Sequence, residues 1–452
     1  MGIISAVKEW LKRMLSRSDI ESIYGVEPAI TDTMLSAIEC WDRMYSGRAD
    51  WTDRKKGIHS LRLEQAVARE FANIALNEMT VKISDKKLDR LFKEAMTTLN
   101  SNFQRGLSAG AMIIKPLGKE KVQYIPQSAF IPVEYDVNGR LTKVIFPEIK
   151  KVSEQEYFIR LEYHSLDSVK GLTITNRVFR SADGNSLGKE VSLKAVSDWE
   201  NLSPKVSYPL MFRNAFGYYV NPFDNTVDYS FAGVSVFDSA KDLIRLTDTQ
   251  FGRLDWEFES GERAVDVEEI ALKPAVDPIT NTYRFDTPQI RERLFRSLNI
   301  TGNDFYHEFS PQLRQADFIA GLEEYKRNIE FAVGLSYGDI SNPQTVDKTA
   351  TEIKASKARK YNTVSAIQNN LRTCLDDFVY SLAFYNALTT SGYEFICDFK
   401  DSILTDEDTE RQRDMQDVSA GIMRPEEYRA KWYGETLETA LKNLPQSAQV
   451  LD

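Results

Sequence analysis

The side chains able to do chemistry are few and scattered. His59, His164 and His307 share no metal-ligand spacing with one another or with Cys40, Cys374 and Cys397. Each histidine is expected to be an ordinary packed or surface residue. The run Gly184-Asn185-Ser186-Leu187-Gly188-Lys189-Glu190 is similar to a phosphate loop. It is one residue short and lacks the Ser or Thr that would meet magnesium, so a hairpin turn is the better reading. Asp406, Glu407 and Asp408 bring three carboxylates together, yet acids are usual in a first helical turn, where the helix dipole favours them. No metal site, no cofactor and no catalytic constellation is expected, which weighs against a nucleic-acid enzyme. One basic group remains, made of Lys348, Lys354, Lys357, Arg359 and Lys360. It reads either as a solvated face or as a source of weak, sequence-independent phosphate contacts.

The elements that must position these residues are bounded by composition. A chain of 452 residues exceeds what one core usually organises, so several substructures are expected. Asp and Glu outnumber Lys and Arg by 67 to 57, a net charge of −10. That balance excludes a simple sequence-reading DNA binder, which carries a basic footprint, but not a protein that handles DNA without gripping it. Three distant cysteines fit a reducing compartment. No run approaches the ~20 apolar residues of a membrane span. No secretory signal is expected, because charges interrupt Ile3–Leu15, and Ala6 stands where a myristoylation signal wants Ser or Thr.

Hydrophobic spacing predicts helices over Ile3–Ser18, Thr31–Tyr45 and Leu61–Met79. From Gly110 to about Phe216, short β-branched and aromatic runs alternate with turns. Met112–Lys115, Val122–Ile125, Leu141–Phe146, Tyr157–His164 and Leu172–Arg180 read as a mostly antiparallel β region. Ser235–Ser260 reads as one helix, with Phe237, Ile244, Phe251, Leu254 and Phe258 on a seam that packs against another helix. Ala264–Arg314 is mixed and Pro-punctuated, with one short helix near Pro288–Leu298. Gln315–Gly334 is helical, and Gly338–Lys348 is an exposed loop. Thr349-Ala350-Thr351-Glu352 then reads as a capping box. Neither Gly nor Pro occurs from there to Thr390, which predicts a helix about 60 Å long at ~1.5 Å per residue. Its stripe is Tyr361, Val364, Leu371, Leu375, Phe378, Leu382 and Tyr385. A strand over Tyr393–Phe399 and helices over Asp406–Asp417 and Pro425–Leu444 complete an α+β, helix-dominated chain.

Several of these runs resemble the portal proteins of tailed bacteriophages. The likeness is nearest to the portals of siphophages and prophages of Gram-positive hosts, the Listeria-phage branch. It is carried by Val333-Gly334-Leu335-Ser336-Tyr337-Gly338 followed, after a variable loop, by Lys348-Thr349-Ala350-Thr351-Glu352-Ile353. Trp41, Tyr45, Gly47 and Trp51 within Ile38–Trp51 are similar to that family's amino-terminal pattern, and Glu70–Glu78 to its next helix. Gly233-Val234-Ser235-Val236-Phe237 is similar to the lead-in to its stem helix, and Asp417–Glu426 to its carboxy-terminal helical segment. The stretch Ala264–Arg314 carries least of the likeness.

The resemblance implies a ring of typically twelve copies at one capsid vertex, through which DNA is packaged, retained and ejected. It implies a wing at 1–232, a stem helix at 233–262, a clip at 263–314 and a second stem helix at 315–335. A tunnel loop at 336–348, a long wing helix at 349–390 and a crown at 391–452 would follow. Implied partners are double-stranded DNA, terminase, the major capsid and scaffolding proteins, and a head-completion or adaptor protein. The expected location is the virion, after synthesis in the bacterial cytoplasm, with no membrane partner and no catalysis by this chain. Loop position nominates Asn342, Gln344 and Lys348 as nearest DNA, with Lys354 and Lys357 as weak phosphate contacts. The rival reading is a non-portal structural or minor head protein acting as a helical scaffold.

Overall fold

The computed structural model describes residues 19–77, 79–119, 121–153, 155–184, 186–268, 274–277, 279–285, 295–298, 306–343, 350–388, 392–399 and 407–444. The expected helix over Ile3–Ser18, the capping box at Thr349 and residue Asp406 lie outside them. The fold is mixed α/β, 46% helix and 22% strand, so the expected dominance of helix holds.

The amino-terminal part begins with α1 (Asp19–Tyr24), α2 (Asp32–Tyr45) and α3 (Leu63–Asn77). Thr31 starts α2 by accepting from the Met34 amide at 3.1 Å. Strand β1 (Met79–Ile83) leads to two helices beyond the expected set, α4 (Lys86–Met96) and α5 (Leu99–Ala109). Asp85 caps α4 through the amides of Lys87 and Leu88. Only Leu88, Leu91 and Phe92 of α4 are buried, too few in a Lys-rich stretch to stand out in sequence.

The β region matches its expected antiparallel character. Strands β2 (Ala111–Leu117), β3 (Lys121–Pro126) and β10 (Gly217–Val220) form one sheet, with β2 central. Strands β4 (Ile131–Tyr135), β5 (Leu141–Ser153), β6 (Glu156–Asp167), β7 (Gly171–Ser181) and β8 (Lys189–Val191) form a meander, and β9 (Lys205–Tyr208) also pairs with β7. Of the Gly184–Glu190 run, Gly184 and Ser186–Gly188 lie in the connection between antiparallel β7 and β8, and Lys189 and Glu190 already belong to β8.

Helix α6 spans Lys241–Ser260, not Ser235–Ser260. A 3-10 turn at Asp238–Ala240 precedes it, and Val234, Ser235 and Val236 are held in the core by other contacts. The Asn221 side-chain Nδ2 donates to the carbonyls of Leu107 and Val234, and the Val236 backbone amide to that of Leu107. Phe237 is therefore a core residue ahead of the helix. Beyond α6 come β11 (Ala264–Glu268), β12 (Pro274–Val276), β13 (Tyr283–Phe285), β14 (Phe295–Leu298) and β15 (Tyr306–Phe309). The short helix expected near Pro288–Leu298 is not found where that stretch is described. Phe295–Leu298 is a strand because β11 offers it a parallel ladder, and β15 closes the other side.

Helix α7 (Gln315–Val333) packs on α6; Leu322, Ile329 and Val333 of α7 are buried, as are Ile244, Thr247 and Leu254 of α6. The long helix is α8 (Ala350–Tyr385), 36 residues, and it stops short of Thr390 at a turn where Ala387 takes a φ of 52°. Five of the seven residues of its expected stripe are buried within this same chain, and Tyr361 and Tyr385 are half-buried. Val364, Ile367, Leu371, Leu375, Phe378 and Leu382 join Phe71, Phe103, Tyr219 and Phe237 in one core. Strand β16 (Phe395–Phe399) pairs with β1, which ties the start of the carboxy-terminal segment to the amino-terminal helices. Three helices follow, α9 (Glu407–Ser419), α10 (Pro425–Tyr433) and α11 (Leu437–Lys442). The single helix expected over Pro425–Leu444 is split by Gly434, whose φ of 66° ends α10. Among the described residues no helix is long and apolar enough to cross a membrane.

Candidate DNA-facing loop

The loop after α7 is built from its helix outward. Gly334 ends α7 in the left-handed region, at φ 86°, and its amide closes on the carbonyls of Glu330 and Phe331. A Cβ there would strike Thr363 of α8, so close helix approach and backbone conformation both require glycine. Leu335 is then buried, and the chain turns back over the end of α7.

The turn is organised by carboxylates. Glu330, fully buried on α7, accepts from the amides of Gly338 at 3.1 Å, Ile340 at 2.5 Å and Ser341 at 2.7 Å. It also accepts from the Ser341 hydroxyl at 2.8 Å. Two turns of α7 earlier, Glu323 accepts from the Asn342 amide at 2.7 Å and from Lys326 at 2.6 Å. Burial opposes ionisation of Glu323, but the bonds from Lys326 and the Asn342 amide outweigh it and hold its carboxyl below the usual range. Asp339 accepts from the Ser336 amide at 2.8 Å and pairs with Lys360 of α8 at 3.0 Å. The Arg359 guanidinium lies over the Phe331 and Tyr337 rings, 4.5 and 5.4 Å from their centroids.

These contacts divide the expected site residues. Asn342 is exposed on the loop. Gln344 and Lys348 lie outside the described residues, as does the side chain of Lys354 in the first turn of α8. Lys357 is exposed on α8. Arg359 and Lys360 belong to the loop's internal contacts, so the basic run is only partly a solvated face. Of the five seam residues, Phe237, Ile244 and Leu254 are buried, Phe251 is half-buried and Phe258 is exposed. Glu323 and Glu330 carry the loop, yet no sequence pattern singled them out. Their signal is indirect, since a turn rich in backbone donors beside a helix end needs acceptors.

A second polar cluster lies in the β region. Arg160, Glu162 and His164 alternate along one face of β6, and Lys115 reaches them from β2. Glu162 pairs with Lys115, with His164 Nε2 at 2.6 Å and with Arg160 at 3.1 Å. Arg160 also grips Glu148 through two nitrogens and Asn176 at 3.0 Å. Burial works against the Glu162 charge, but Lys115, His164 and Arg160 overcome it and hold the carboxyl well below its ordinary value. Burial first, and then the neighbouring positive charges, push Lys115 and His164 down against the opposing pull of Glu162. The cavity beside this cluster is about 40 Å³, room for a water molecule but not for a substrate. His164 is thus the packed histidine that was expected. His59 is exposed, and among the described residues no group of His, Cys, Asp and Glu is placed to hold a metal ion.

What the loop offers is a turn whose backbone donors at Ser336, Gly338, Ile340, Ser341 and Asn342 are taken up by carboxylates. No family model matches the chain, and no curated protein sequence matches it.

Proposed function

We propose that this chain is the subunit of a tailed-phage portal ring, the channel at one capsid vertex for DNA packaging, retention and ejection. The observation that carries the reading is the surface of the α6/α7 pair. Trp256 and Phe258 on α6 and Ile319 and Phe331 on α7 are 66%, 44%, 49% and 57% exposed. Large apolar side chains displayed on a packed helix pair suit burial against further copies in a closed, heterologous ring. The order of elements supports the same reading. A helical and β wing leads into α6, a small strand-rich clip, α7, the carboxylate-held loop and then α8. The acidic balance of the chain fits a channel in which DNA must slide, because every added phosphate contact would add salt-dependent grip. Terminase would dock at the clip and supply the ATP-driven movement, with capsid, scaffolding and head-completion proteins around the ring.

The test is electron microscopy of the purified protein together with its mass by light scattering. Rings with a central hole, near a dozen subunits of 51.7 kDa, are expected. A chain that stays monomeric or dimeric even when co-expressed with scaffolding and capsid proteins would overturn the portal reading in favour of a helical scaffold.

A further inference from the structure

We propose that Glu330 is the positioning residue of the 336–342 loop, and that by holding it the carboxylate withholds the loop's backbone donors from DNA phosphates. Only the second half rests on the portal reading. Five backbone amides of this short turn end on carboxylates. Ser336 donates to Asp339, Gly338, Ile340 and Ser341 donate to Glu330, and Asn342 donates to Glu323. Convergent amides in a turn form a concavity that suits an anion. Here the anion is the chain's own, carried on the rigid end of α7 and shut off from solvent.

Two consequences follow from that geometry. The loop has one favoured shape, because any other leaves a buried carboxylate without its donors, a loss that hydrogen bonds to a charged group make large. The loop face presented outward also lacks free amide donors at these five positions. A passing phosphate therefore meets no phosphate-binding turn at these five positions. Lys360, which could offer charge, is held by Asp339 and by Glu70 at 3.6 Å.

The experiment is hydrogen exchange on the full chain, wild type against Glu330→Gln, followed by retention of linear double-stranded DNA as salt is varied. The Gln side chain keeps the volume but loses the charge and turns an NH2 group toward donors. Exchange at Gly338, Ile340 and Ser341 is expected to speed up by about tenfold or more, the factor that one hydrogen bond to a charged group carries. The α8 core around Leu371–Leu382 should be unchanged. DNA retention should strengthen and its salt dependence steepen. Unaltered exchange at the three amides would overturn the positioning role. Faster exchange with unaltered retention by assembled rings would overturn the withholding of donors. Should Glu330→Gln not fold, Ser341→Ala removes one donor without touching the charge, and local exchange must still rise, though less. Exchange is read in any assembly state, so a chain that forms no rings would defeat the portal reading while leaving the positioning role decided.

Discussion

The Trp51 indole N–H donates to a buried Asp248 carboxylate at 2.8 Å, joining the amino-terminal segment to α6 across 197 residues. The same offset recurs twice. Trp41 donates to Asp238 at 2.7 Å, and the Thr31 hydroxyl to Asp228 at 2.6 Å. The segment 31–51 therefore runs alongside 228–248 in the same direction, and both tryptophans of the amino-terminal pattern bind the approach to, or the body of, α6. In the portal reading, this seam fixes the stem to the wing.

Trp51→Phe should cost about 1–3 kcal/mol, because Asp248 would keep only the Leu61 amide at 2.8 Å and lose its second donor. Urea denaturation measures the loss. On an Asp248→Ala background the same substitution should cost much less, and equal costs on both backgrounds would mean that the hydrogen bond is not the link.

Glu64 lies beside this seam and gives it a pH response. Burial, reinforced by the Asp248 charge, pushes its carboxyl from an ordinary 4.5 up to about 7. A raised acid keeps its proton in the folded state while the unfolded chain releases it. Stability from this group is therefore full below pH 4.5, declines as pH rises to about 7, and is level above. The decline is on the order of 3 kcal/mol at most. Glu64→Gln should remove that slope and be the more stable protein at pH 8, as read from denaturation midpoints across the pH range.

Much of this architecture was legible in the sequence where the signal is local. The α8 stripe shows because a stretch free of Gly and Pro repeats its apolar residues at helical spacing, and β5, β6 and β7 show through alternation and turn residues. The contacts at offset 197 could not be read, since nothing near Trp51 names its partner. Phe295–Leu298 misleads for the same reason: it is a strand only because Ala264–Glu268 lies beside it. The loop's place follows from Asp339, Ser341, Asn342 and Pro343 as turn formers. Its fastening does not, because Glu330 binds backbone amides, which carry no residue identity.

Gly110 and Gly233 meet so closely that a Cβ on either would overlap the other's carbonyl oxygen. The Asn221 amide, donating to the Gly110 carbonyl, draws the same crossing tight. Gly233→Ala should destabilise by about 1–3 kcal/mol or more through overpacking. Gly110→Ala should cost more still, because its φ of 95° disfavours any side chain. Thermal denaturation of the two variants gives the order.

Lys115→Met should cost about 3–5 kcal/mol, because it removes from a buried carboxylate the largest of the charges that sustain it, leaving only His164 and Arg160. Lys115→Met combined with Glu162→Leu should recover part of the loss, since an apolar pair leaves no unpaired charge. A double variant weaker than the single one would show that Glu162 matters chiefly as the acceptor for Arg160 and His164.

Trp256→Glu separates folding from assembly. The indole is 66% exposed on α6, so the change should alter the stability of the isolated chain by no more than about 0.5 kcal/mol. Within a ring, the same position would place a charge against a neighbour's apolar surface without a partner, which is strongly unfavourable. Light scattering should therefore find subunits with unchanged denaturation midpoints and no rings, and Ile319→Glu should act likewise from α7. Normal rings from both variants would move the interface off the α6/α7 face. That result would leave the exposed aromatics needing another partner, and remove the observation on which the portal assignment rests.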